Sequence, residues 1–177
     1  MRTSQGVKIL VFGFKPYRNY KENITEKIVK RFKNRKNLYT AVLPVRFDKK
    51  IFLKAMEKHK PDVMLGLGMR PGAKKIRIER RAKNIMRRSG GKRPRKIEKD
   101  GPQYRLVNLK LKPGKTARIT YDAGDYVCNF SIYILSGIAK KKGIRFAFLH
   151  IPKDYNIKKV IKFIEEKIKE FFHLTVK

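Results

Sequence analysis

The sequence predicts a single three-layer α/β/α domain over residues 1–177, built on a mostly parallel or mixed sheet. Three observations predict it. Short apolar runs alternate with segments whose apolar residues recur at helical spacing. Gly, Pro or Asp punctuates the junctions between them. No internal repeat and no linker divides the chain, and its length suits one sizeable core.

The elements follow in order. Val7–Phe12 is a buried strand ending at Gly13. Asn23–Lys33 carries Ile24, Ile28, Val29 and Phe32 at helical spacing. Leu38–Val45 is a second strand, closed by Pro44. Asp48 can N-cap a helix that places Ile51, Phe52, Ala55 and Met56 on one face. Pro61 breaks the chain before a strand at Val63–Leu67. Ile76–Ile78 alternates with Arg and reads as an edge or hairpin strand. Tyr104–Leu111 and Ala117–Tyr121 are strand-like and flank a turn at Lys112–Lys115. Tyr126–Lys142 is helical, with Gly143 as its stop. Arg145–Ile151 is a strand ending at Pro152, and Ile157–Phe172 is a closing amphipathic helix.

Composition is ordinary except for charge. Hydrophobic residues make up 41%, which excludes a disordered polycation. Lys and Arg number 47 against 14 Asp and Glu, a net charge of +33. Abundant Lys and Ile with scarce Gln suit a thermophile. Heat adaptation raises both signs of charge, so it does not account for the excess. Self-repulsion at this charge calls for a polyanionic partner. The sequence therefore points to RNA, in particular ribosomal RNA or a ribosomal particle. It contains no helix-turn-helix, finger or basic-zipper pattern. The basic segment at 87–103 is expected to be a loop or flexible arm within the domain. It offers Arg87, Arg88, Lys92, Arg93, Arg95 and Lys96 as phosphate contacts, with Lys110, Lys112 and Lys115 in support. No apolar run approaches about 20 residues, and Met1–Gln5 leads straight into a strand, so neither a membrane span nor a signal peptide is expected. The expected location is cytoplasmic and ribosome-associated. The oligomeric state is left open.

The single cysteine, Cys128, excludes an internal disulfide and a multi-cysteine metal site, and no metal or cofactor is expected. A lone cysteine is ordinarily a small buried hydrophobe. Cys128, however, follows the Asp122–Val127 turn at the start of a helix, where backbone amides favour a thiolate and can hold an oxyanion. A cysteine nucleophile needs a base. His59 and His173 lie in polar, surface-like contexts. His150 ends an apolar strand, at the sheet edge where such sites gather.

Four segments now resemble the pyroglutamyl-peptidase I (pyrrolidone-carboxylate peptidase) family. Asp122-Ala123-Gly124-Asp125-Tyr126-Val127-Cys128-Asn129 is similar to its S-A-G-x-Y/F-x-C-N segment. Phe148-Leu149-His150-Ile151-Pro152 is similar to F-x-H-x-P. Gly68–Ala73 with Ile78–Asn84 resembles G-x-x-x-G-R…E-R-x-A-x-N. Gly13-Phe14-Lys15-Pro16-Tyr17 with Asn23 and Thr25 resembles G-F-x-P-F…N-P-T/S. The resemblance implies a phosphorylase/hydrolase-like fold and a cysteine peptidase that removes N-terminal pyroglutamate through an acyl-enzyme. It implies Cys128 as nucleophile, His150 as general base and acid, and Glu79 as the group orienting His150. Phe14, Tyr17 and Tyr126 would enclose the lactam ring, Asn23 would hydrogen-bond it, and the backbone of Met69 would read its amide.

Departures accompany the match. Ala73 and Ser89 stand where the family carries Arg, with Arg88 next to Ser89. The basic segment replaces a D-A-R-I-P-D-N-like stretch. Ile24 replaces a Pro, and a helix before the nucleophile strand is expected to be missing. Asp122 and Asp125 crowd the nucleophile and are expected to raise the thiol pKa. Two readings follow: a compact peptidase with a basic surface, or a catalytically silent, peptidase-derived RNA-binding protein.

Overall fold

The computed structural model describes residues 6–33, 35–87, 91 and 93–173. The elements run β1 (Ile9–Phe14), α1 (Ile24–Arg31), β2 (Leu38–Leu43), α2 (Lys49–His59), β3 (Val63–Arg70), β4 (Ile76–Glu79), β5 (Arg81–Lys83), β6 (Tyr104–Leu106), β7 (Ala117–Thr120), α3 (Val127–Lys142), β8 (Arg145–Pro152) and α4 (Ile157–Phe172). The main sheet has the order β2-β1-β3-β8-β4-β7. All its pairings are parallel except β4 with β8. This is the expected α/β/α arrangement on a mostly parallel sheet.

Side-chain alternation along the strands creates the two cores. Ile9, Val11, Leu65 and Ala147 face α1 and α4, against Ile28, Phe32, Val160 and Ile164. Leu10, Phe12, Met64, Phe146 and Phe148 face α2 and α3, against Phe52, Met56, Phe130 and Ile134. The helices start where the sequence supplies caps. Asn23 Oδ1 accepts from Thr25 N, and Asp48 Oδ1 accepts from Lys50 N. Gly143, at φ 68°, ends α3 in the left-handed conformation that favours glycine.

Three expectations are corrected. Ile76–Ile78 lies inside the sheet, because β7 pairs along its far side. The 104–121 region forms no hairpin about Lys112–Lys115. Of the expected strand Tyr104–Leu111 only 104–106 is a strand, paired antiparallel with β5 in a second, two-stranded sheet, while β7 after the turn joins the main sheet beside β4. The chain then crosses the layers: Val107 is buried against α3's core, and Leu111 against α1 and α4's.

The described part of the basic segment is also no free arm. The Asn84 side chain binds four backbone groups, accepting from Ile97 N and Glu98 N and donating to Glu98 O and Gly101 O. Arg105 forks onto Glu98 at 2.6 and 3.2 Å and lies 4.2 Å over the Tyr133 ring. Tyr133 Oη donates to Pro102 O at 2.8 Å. Few apolar residues hold this loop, so hydrogen bonds from buried Asn84 and Tyr133 replace them.

Candidate active site

The C-terminal ends of β1, β3 and β8 and the N-terminus of α3 converge on one cavity of ≈ 270 Å³. Parallel strands bring their ends together in this way, and ligands gather there in open α/β sheets. Phe14, Tyr17, Asn23, Met69, Tyr126, Cys128 and His150 all line it. These residues are spread over 137 positions of sequence, from 14 to 150 inclusive, and the topology alone unites them.

Glu79 stands behind the cavity wall. The β4–β8 ladder puts Arg77 opposite His150 and Glu79 opposite Phe148. Glu79 Oε1 meets His150 Nδ1 at 2.8 Å, with both side chains buried. Thr120 Oγ1 donates to Glu79 Oε2 at 2.5 Å, because β7 pairs in register with β4. Glu79 thus fixes the imidazole through one ring nitrogen and leaves Nε2 for the cavity. Cys128 sits in the first turn of α3. Its Sγ lies where a Cβ on Gly68 would be only 2.5 Å away, so the β3 backbone seats the sulfur directly. Tyr126 makes no side-chain cap hydrogen bond to the first turn of α3. Asn129 ties this turn down by accepting from Lys83 N and donating to Lys83 O and Ile85 O.

The electrostatics describe an uncharged resting pair. Burial pushes the Cys128 thiol up to about 12; Glu79's charge adds to the rise and Arg70's opposes it. Burial also depresses His150, against the hydrogen bond and charge of Glu79, which raise it. Tyr17 is pushed up to about 12, chiefly by burial and then by the neighbouring Cys128. The expected influence of Asp122 and Asp125 is corrected. Asp122 pairs with Lys83 at 3.1 Å and Asp125 with Arg87 at 2.7 Å. The carboxylate acting on the thiol is Glu79.

Asn23 is held in place by its own hydrogen bonds. Its Oδ1 holds Thr25 N and Thr25 Oγ1, and Nδ2 donates to Lys15 O, so one N–H remains for the cavity. The phosphate-contact candidates are dispersed. Arg87 is bound at the cavity rim to Asp125. Arg93, Arg95, Lys96, Lys110, Lys112 and Lys115 are exposed, and Lys96 Nζ donates to Lys99 O. Arg88 and Lys92 lie outside the described residues.

Sequence reasoning gave no role to Thr120, Gly68, Asn129, Arg18 and Arg70, although Gly68, Arg70 and Asn129 lie inside the family-like segments. Asn129 had a signal, as a polar residue inside an apolar helix. Thr120 and Gly68 matter only through strand register.

The sequence pattern of the pyroglutamyl peptidase family matches residues 7–166. The chain belongs to this family. The pyrrolidone-carboxylate peptidase of Thermococcus litoralis is 33% identical over 168 residues, covering 82% of this chain and 76% of that protein. Pyrrolidone-carboxylate peptidase 1 of Saccharolobus solfataricus is 29% identical over 164 residues, covering 81% and 78%. The solved Thermococcus litoralis pyrrolidone carboxyl peptidase superposes with a TM-score of 0.81 at 27% identity, covering 92% of each chain. The pyroglutamyl peptidase I structure from Bacillus amyloliquefaciens gives 0.85 at 23% identity, over 96% and 97%, and supports the fold. Among the described residues no helix is long and apolar enough to cross a membrane.

Proposed function

We propose that the chain is a cysteine peptidase removing N-terminal pyroglutamate from peptides, with Cys128, His150 and Glu79 as its catalytic set. One observation carries the reading. A buried Glu79–His150 pair stands behind a cavity that also holds the only cysteine and a wall of Phe14, Tyr17 and Tyr126. The walls suit a small neutral ring, and Asn23 with the Met69 backbone supplies a few polar partners. His150 Nε2 takes the thiol proton as Cys128 Sγ attacks the pyroglutamyl carbonyl. Charge on the carbonyl oxygen is met by amides at the start of α3. His150 then gives the proton to the departing amine, and the C–N bond breaks to leave a thioester. Water, deprotonated by the same imidazole, releases pyroglutamate and restores the thiol. The test is release of a reporter amine from a pyroglutamyl amide, with Cys128→Ala as control. Turnover abolished in that variant supports the reading; absence of turnover by the folded native chain across a broad pH range refutes it.

A second reading is favoured by a surface feature. Four of the five exposed large hydrophobics named among the described residues, Tyr104, Leu106, Ile119 and Tyr121, fall on β6, β7 and the residue following β7. Arg81 lies between two of them, 4.4 Å over Tyr104 and 5.9 Å from Tyr121. Aromatic rings beside guanidinium groups, on a chain of +33, suit stacking of unpaired bases with phosphate contact. We propose RNA, ribosomal RNA in particular, as a partner compatible with peptidase activity. Affinity for single-stranded RNA should fall by a log–log salt slope of about 0.7 per phosphate contact. Tyr104→Ala with Tyr121→Ala should weaken it. Binding absent at physiological salt refutes this reading.

A further inference from the structure

Two arginines open onto the cavity that holds Cys128. Arg70 ends β3, half-buried, with Nη1 so near Gly124 that a Cβ there would lie 3.0 Å from it. Arg18 stands in the turn after β1 at φ 54°, its guanidinium carbon 4.8 Å from the Tyr126 ring centre. Among the described residues neither guanidinium makes a hydrogen bond or an ion pair, while the carboxylates nearby are taken: Asp125 by Arg87 and Asp122 by Lys83.

A neutral lactam ring has no use for a guanidinium. The aromatic walls already provide its surroundings, and Asn23 has an N–H to offer. A half-buried guanidinium with no hydrogen bond or ion pair among the described residues keeps its forked donors available to an anionic ligand's oxygens. Burial dominates the state of Cys128 and of His150, but Arg70's charge reaches both, so an anion bound at Arg70 would sit close to the reacting atoms.

We propose that Arg70, assisted by Arg18, forms an anion subsite on the leaving-group side of the cavity, selecting pyroglutamyl peptides that carry a carboxylate just beyond the scissile bond. This rests on the peptidase reading above. The carboxylate has two sources, an acidic second residue or the free C-terminus of a dipeptide.

Two measurements test it. Cys128 is alkylated with iodoacetate and with iodoacetamide, and the rate ratio is compared with that of free cysteine. This probe needs no turnover. The native chain should favour the anionic reagent about tenfold relative to free cysteine, the scale of one charge-assisted hydrogen bond. Arg70→Met should bring the ratio back, Arg70→Lys should keep part of it, and added salt should shrink it. The second measurement compares kcat/KM for pyroglutamyl-aspartyl amide, pyroglutamyl-alanine and pyroglutamyl-alanyl amide. Preference for the first assigns the subsite to a side chain, and preference for the second assigns it to a C-terminus. Arg70→Met should remove either preference, with thermal unfolding verifying the fold. An alkylation ratio equal to that of free cysteine and unmoved in Arg70→Met overturns the subsite. So does an equal kcat/KM for all three peptides. If no pyroglutamyl substrate is cleaved, the peptidase reading fails while the alkylation ratio still decides the anion subsite.

Discussion

Gly68→Ala tests the seat of the proposed nucleophile, Cys128, most sharply. The added Cβ would stand 2.5 Å from Cys128 Sγ and 3.0 Å from the Phe148 ring. Comfortable non-bonded separation is roughly 3.5–4.0 Å, so sulfur and carbon must part by about 1 Å or more. The β3 backbone cannot yield, because its register holds Gly68 against His150 in the central β3–β8 ladder. Phe148 is fully buried and cannot yield either. Cys128 must therefore turn away from its present position. A misplacement of about 1 Å costs roughly 100-fold in rate, while overpacking destabilises the fold by about 1–3 kcal/mol. The assay is kcat/KM on a pyroglutamyl amide reporter beside a urea unfolding curve. The expected outcome is a folded protein with kcat reduced about 100-fold and KM little changed, since the ring walls are untouched. Activity within about twofold of native would refute the argument that Gly68 seats the sulfur.

Further outcomes follow from the Glu79–His150 pair and its supports. Glu79→Gln removes a charge that raises His150, so the acid limb of the kcat/KM profile should move to lower pH while kcat falls. Thr120→Val leaves one buried Glu79 oxygen without its donor and should cost about 1–3 kcal/mol in urea unfolding. Because burial depresses His150 below its ordinary value of 6.5, the unfolded chain binds the proton first as pH falls. Stability should then drop below pH 6.5 with a slope of at most about 1.4 kcal/mol per unit, ending at the depressed value, and His150→Gln should remove this slope.

Most of the frame was legible because burial and periodicity agree. The run Val7–Phe12 is apolar but for Lys8, since β1 lies between β2 and β3 with helices on both faces. Asn23, Asp48 and Gly143 announce helix ends by chemistry that acts over a few residues. What failed was long-range pairing. Nothing local in Ile76–Glu79 distinguishes an edge strand from one covered by β7, which arrives after a connection of 37 residues from 80 to 116. The same holds for the loop at 93–103. Its Lys and Arg left a loop and a flexible arm equally open, and the residues that pin it as a loop, Asn84, Arg105 and Tyr133, lie outside it in sequence. In the site, residue types singled out Cys128 and His150, while Glu79 and the aromatics Phe14, Tyr17 and Tyr126 came only from the family resemblance. Arg70 resembled one more surface cation in a chain of 47 Lys and Arg, and only the topology shows where it points.

The pairing of a raised thiol with a depressed imidazole also constrains how the chemistry starts. A preformed thiolate–imidazolium pair needs the thiol pKa below that of histidine. Here burial moves the two groups in opposite directions, and Glu79 both disfavours the thiolate and favours the imidazolium. On the proposed mechanism the proton would move during attack, as the carbon–sulfur bond forms and Glu79 stabilises the imidazolium that appears. That sequence gives Glu79 its largest effect on kcat and little on substrate affinity. The expected outcome is slow alkylation of Cys128 by neutral reagents at neutral pH, with faster alkylation by an anionic reagent if the proposed Arg70 subsite holds it; alkylation by iodoacetamide as fast as free cysteine would refute the raised thiol.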